Sequence, residues 1–110
     1  MEIKQAIDRF LEEFKCTDAY RNYQEQKQRV AEIPGLVEKI NHFRRNRFEI
    51  QQYSGDDLFE RIDIFENEYQ AFEEEPVVRE YLAAELEICR RIQELSSAVI
   101  EAVGIDWEET

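Results

Sequence analysis

The chain has 110 residues, 43% of them hydrophobic, with three glycines and two prolines, a size for one domain with a modest core and a composition that favours helix over a turn-rich β-sandwich. Its formal net charge of −12 repels phosphate backbones and anionic lipid, which sets aside nucleic acid as a whole-surface ligand. No run approaches the roughly 18 apolar residues of a membrane span, and acids interrupt the apolar pattern of "MEIKQAIDRFLEEF", so neither membrane insertion nor a signal peptide is expected and the expected location is cytoplasmic.

The first predicted helix covers roughly residues 2–15. Ile3, Ala6, Ile7, Phe10, Leu11 and Phe14 recur at three- and four-residue steps, with Lys4, Asp8, Arg9 and Glu12 on the other face. Thr17 or Asp18 is the expected N-cap of a second helix over about 18–32, whose stripe is thin (Ala19, Tyr20, Tyr23, Val30, Ala31) and whose middle, "QEQKQR", is expected to be partly solvated. "IPG" at 33–35 breaks the pattern, since Pro34 disfavours helical geometry at Ile33 and Gly35 loosens the turn.

A third helix, about 35–53, aligns Leu36, Ile40, Phe43, Arg47 and Ile50, with Val37 and Phe48 close by. "SGDD" punctuates, with Asp56 or Ser54 as the expected cap of a fourth helix over about 56–73. Leu58, Ile62, Phe65, Tyr69 and Phe72 form its stripe, flanked by Phe59 and Ile64. Pro76 suits the first turn of a last helix, where its missing N–H costs nothing, and Gly104 reads as its C-terminal stop. Tyr81, Ala84, Ile88, Ile92, Leu95, Val99 and Ala102 run down one side of it. Trp107 in the tail "IDWEET" is expected to fold back on the bundle.

The expected fold class is all-α: one domain over residues 1–110, with about five helices in an antiparallel bundle joined by short loops. A last helix of about 27 residues would be roughly 40 Å long at 1.5 Å per residue, against a radius of gyration near 13 Å for a compact chain of this size. An apolar side that long needs a partner, and a second copy of the chain is the cheapest one. The self-association residues expected on this reasoning are Tyr81, Ile88, Ile92, Leu95 and Val99.

Reactive constellations are sparse. His42 is the sole histidine and Lys39 stands three residues before it, so the Glu-x-x-His pairs of a carboxylate-bridged di-metal bundle are missing. Cys16 and Cys89 form no CxxC pair; two free thiols are expected, Cys89 as a small apolar group in or near the core. No glycine-rich phosphate loop or GxSxG occurs. No catalytic residue, metal site or cofactor is therefore expected. One contrast stands out: "KINHFRRNRF" places Lys39, Arg44, Arg45 and Arg47 in an otherwise acidic chain. This patch reads first as ion pairing with acids on neighbouring helices or a second subunit, and second as a contact for an acidic partner or RNA at 39–47.

The order of features carries a family likeness. "DAYRNYQEQKQRV", with D-x-Y-x-x-Y at 18–23, leads to "LVEKINHFRRNRFEIQ", then an amphipathic helix, then "EEEPVVREYLAAELEICRRIQELSSAVIEAV" with P-V-V-R-E-Y-L-A-A-E at 76–85. Nearly the whole chain resembles the YlbF/YmcA family of bacterial regulatory proteins, which includes a YheA-like branch. The resemblance implies a small all-helical fold that self-associates, no enzyme activity, and a part in competence, sporulation and biofilm decisions. The partners it implies are other regulatory proteins and an mRNA-processing complex. Members of that complex are linked to iron–sulfur clusters held by cysteines; here the tail has none and Cys16 and Cys89 lie far apart, so no cluster site carries over. The function expected is a non-catalytic helical regulator or adaptor working by protein–protein contact.

Overall fold

The computed structural model describes residues 2–104, and among them every regular element is a helix. The five are α1 (Ile3–Phe14), α2 (Asp18–Glu32), α3 (Leu36–Gln52), α4 (Leu58–Glu74) and α5 (Pro76–Val103). The expectation for Trp107 lies outside the described residues.

Local chemistry sets the boundaries. Thr17 caps α2: its hydroxyl accepts from the Tyr20 N–H at 3.3 Å and donates to the Phe14 carbonyl at 2.7 Å, closing one helix while opening the next. Gly35 precedes α3 with φ +76°, a left-handed conformation that a Cβ would strain. Pro76 is the first residue of α5, where it forfeits no intrahelical bond. Gly104, at φ +81°, ends α5 and returns its N–H to the Ile100 carbonyl at 3.0 Å. The cap of α4 differs from expectation. Asp57 occupies that position instead of Asp56 or Ser54, and its carboxylate makes no capping bond because Tyr53 and Arg61 occupy it.

The chain falls into two compact units, one of Gln24–Leu82 and one joining the residues up to Tyr23 with those from Ala83 onward. In the first unit α3 and α4 form an antiparallel pair. Phe43 meets Phe72 at 5.8 Å between ring centroids, Asn46 Nδ2 donates to the Tyr69 hydroxyl at 2.6 Å, and Ile50 faces the Arg61–Phe65 end of α4. Phe43 is the centre of this core at 1% exposure, with Phe65 at 5.6 Å and Tyr69 at 5.2 Å. Such offset and edge-on ring pairs each add about 0.5–1.5 kcal/mol beyond burial. Val30, Leu36, Ile40, Val78 and Tyr81 complete the buried set of this unit.

In the second unit Ala84 and Ile88 are buried, and Phe14 packs its ring against Phe10 at 5.7 Å and Tyr20 at 6.2 Å. Cys89, expected in or near the core, is exposed. The buried line on α5 runs Tyr81–Ala84–Ile88, and the position after Ile88 lies about 100° around the helix from it.

Candidate interaction surfaces

Two kinds of surface stand out: apolar helix faces without cover, and the basic stretch of α3. The first is the more pronounced. Every residue of α1 except Phe14 is exposed, including Ile3 at 80% and Ile7 at 51%. A helix this short does not hold itself in water by propensity alone, so its apolar stripe implies a surface to bury against.

The far half of α5 shows the same condition. Of the five residues expected to carry self-association, Tyr81 and Ile88 are already covered within the chain, at 7% and 9% exposure. Leu95 is half-buried, whereas Ile92 and Val99 are exposed, and Val103 beyond them is 66% exposed. Surface ion pairs run along this segment: Arg91 donates to Glu87 at 2.9 Å and to Glu94 at 2.8 Å. Exposed pairs of this kind contribute at most about 1 kcal/mol each.

The basic stretch is divided. The Arg44 guanidinium lies 5.5 Å from the centre of the Tyr81 ring and donates to its hydroxyl at 3.4 Å; the Arg47 guanidinium sits 5.1 Å from the centre of Phe43. Both cations thus lie over rings of the core, a contact of about 0.5–2 kcal/mol depending on desolvation. Lys39, Arg45 and Arg47 are exposed and Arg44 is half-buried. Lys39 and His42 border a groove of about 490 Å³ with Glu38, Glu68, Tyr69 and Phe72, so two carboxylates share this groove with the Lys39 cation. His42 points outward, as its polar neighbours suggest.

One cluster has no counterpart in the helical periodicity. At the α3–α4 turn Tyr53 donates its hydroxyl to Asp57, Arg61 Nε donates to the other Asp57 oxygen at 3.1 Å, and the Arg61 guanidinium lies 4.1 Å from the centre of the Tyr53 ring. The Tyr53 ring fills the space a Cβ at Gly55 would take. The hydrogen bond from Tyr53, then that from Arg61, holds the Asp57 carboxyl below its ordinary value, and the same bond to Asp57 pushes the Tyr53 phenol above its own. The i, i+4, i+8 spacing of Tyr53, Asp57 and Arg61 around Gly55 is the signal that marks it. The arrangement clamps a turn and offers no reacting group.

Among the described residues no group of three or more His, Cys, Asp or Glu side chains is placed to hold a metal ion, and no helix is long and apolar enough to cross a membrane.

The family model described as "Control of competence regulator ComK, YlbF/YmcA" matches residues 3–104. The chain belongs to the YlbF/YmcA family. The match spans all five helices, so the likeness carried by D-x-Y-x-x-Y and P-V-V-R-E-Y-L-A-A-E holds at the level of the whole helical chain. YlbF/YmcA is a regulatory family, tied by its description to control of a competence regulator, and is not a known enzyme family. The chain is also similar to the UPF0342 protein DSY2926 of Desulfitobacterium hafniense (strain Y51), at 30% identity over an alignment 110 residues long that covers 94% of this chain and 86% of that protein. No solved structure matches it.

Proposed function

We propose that this chain is a non-catalytic regulatory adaptor that works by protein–protein contact, beginning with contact to itself. The observation that carries the reading is the uncovered apolar side of α5: Ile92 is 48% exposed, Val99 52% and Val103 66%. A helix side of this kind gains free energy at roughly 25 cal/mol per Å² when a partner covers it. Of the residues first expected to make this contact, Tyr81 and Ile88 are covered within the chain, and Ile92, Leu95 and Val99 face the partner. The acidic surface sets which partners approach, by charge, and the apolar faces set how tightly they stay.

On this reading residues 1–110 act as one domain, an antiparallel five-helix bundle in the cytoplasm, without a cofactor. The family match running unbroken over residues 3–104 supports the single domain. The regulatory role is control of bacterial development, of which competence is the named instance in the family description, through assembly with other regulatory proteins or an mRNA-processing complex. RNA contact through Lys39, Arg44, Arg45 and Arg47 is the competing reading. It draws less support, because Arg44 and Arg47 are laid over core rings and acids flank Lys39.

Affinity capture from the native bacterium tests this, with the wild type, Ile92→Asp/Val99→Asp and Lys39→Ala/Arg45→Ala run side by side. The proposal expects the apolar-face variant to lose its protein partners and the basic-patch variant to keep them. Recovery of the same proteins by both variants would remove it, and loss of RNA from the basic-patch variant alone would favour the competing reading.

A further inference from the structure

We propose that two copies of the chain exchange their first helices, α1 of each lying along the Ile92–Val103 segment of α5 in the other. The inference rests on the self-association reading and adds which surfaces meet. Each chain carries two apolar faces that its own fold leaves open. On α1 they are Ile3, Ile7, Phe10 and Leu11, at 80%, 51%, 36% and 43% exposure. On α5 they are Ile92, Val99 and Val103.

Their lengths match. Helix α1 has 12 residues, and Ile92–Val103 also spans 12, about 17 Å of helix in each case. Their shapes match as well: Ile3, Ile7, Phe10 and Phe14 form one ridge at three- and four-residue steps, and Ile92, Leu95, Val99 and Val103 form another, so ridge can pack into groove.

Area argues for a second copy as the occupant. The open apolar side chains of the two faces amount to on the order of 700 Å² per chain, close to the ~800 Å² per partner of a standard stable interface. Neither face reaches that alone. A two-fold arrangement uses both at once, since each copy gives one α1 and receives one, and the contact closes without leaving a face to recruit a third copy. A lipid surface fits α1 poorly. Its polar side carries Glu2, Asp8, Glu12 and Glu13 against Lys4, Arg9 and Lys15, whereas helices that lie on anionic membranes are rich in lysine and arginine.

Two full-length variants test the exchange by sedimentation velocity: Ile7→Asp/Phe10→Asp, which spoils α1, and Ile92→Asp/Val99→Asp, which spoils the α5 segment. A carboxylate set into an apolar contact weakens it severely, so each variant alone is expected to dissociate at least about 100-fold more readily than the wild type. An equimolar mixture is expected to associate more tightly than either variant alone and less tightly than the wild type, because one of its two α1–α5 contacts, the second variant's α1 on the first variant's α5 segment, is intact. Should the α5 double variant lose helical circular dichroism, Val103→Asp replaces it at a site 66% exposed in the chain. A mixture that associates no more tightly than either variant alone would overturn the exchange in favour of like helices pairing with like. A dimer undisturbed by the α1 changes would overturn the exchange while leaving self-association standing, and a wild type that is itself monomeric would remove both.

Discussion

Replacing Phe43 by alanine removes the ring on which the α3–α4 pair is built. At 1% exposure the ring has no route to solvent, and its neighbours Phe65, Tyr69 and Phe72 lie with centroids 5.2–5.8 Å away on a second helix. Those three partners are tied to one another (Phe65–Tyr69 at 4.8 Å, Tyr69–Phe72 at 6.1 Å), which limits collapse into the vacancy. The loss therefore combines transfer of the ring with a residual cavity, about 3–5 kcal/mol for a buried Phe→Ala. The Arg47 guanidinium loses its face at the same time. Against a total stability of about 5–15 kcal/mol this is a large share, and it corresponds to a fall in Tm on the order of 15–30 °C. Urea unfolding followed by far-UV circular dichroism measures it, at one fixed protein concentration because association adds to apparent stability. Phe59→Ala is the control: the same chemical deletion at 81% exposure is expected to cost under about 0.5 kcal/mol. Equal losses for Phe43→Ala and Phe59→Ala would refute the placement of the core.

Gly35→Ala isolates backbone strain, since nothing lies within 4 Å of the added Cβ while φ is +76°; a loss of about 1–2 kcal/mol in urea unfolding is expected, with Gly35→Asn losing less. For the Tyr53–Asp57–Arg61 clamp, the depressed Asp57 value means its stabilisation is present above the ordinary carboxylate range and lost as pH falls through the folded value. A carboxyl NMR titration should find Asp57 below the ordinary aspartate value and Tyr53→Phe should raise it; an unchanged Asp57 would show that the hydrogen bond does not form in solution. A mixed-sequence single-stranded RNA should bind the wild type more weakly than about 100 µM at 0.15 M salt. Tighter, steeply salt-dependent binding lost in Lys39→Ala/Arg45→Ala would instead restore the RNA reading.

The helices and their ends were legible because the signals are local. Thr17, Pro34–Gly35, Pro76 and Gly104 act on their own turns of backbone, and α2 and α5 begin and end where those residues direct. Which apolar residues are covered was less legible. Phe43 and Phe48 lie on the same helix, at 1% and 62% exposure, and five helical positions displace a side chain about 140° around the axis, enough to move a ring from core to surface. Cys89 departs from expectation in the same way, one position past buried Ile88. The stripe on α1 was plain in the residues, yet periodicity records only that a face is apolar and says nothing of whose surface covers it. The Tyr53–Asp57–Arg61 clamp was less legible because its i, i+4, i+8 spacing crosses the break between two helices, and its parts become neighbours only once α4 starts at Leu58.

Sedimentation equilibrium of the full chain at 0.05 M and 0.5 M salt tests the central claim most directly. If uncovered apolar helix faces drive assembly, the chain is a dimer or larger at micromolar concentration and its association constant holds or rises between the two salts, because apolar burial carries no Debye screening while salt screens the repulsion between two copies of net charge −12. A well-folded monomer at both salts, or an assembly that dissolves as salt rises, would contradict it.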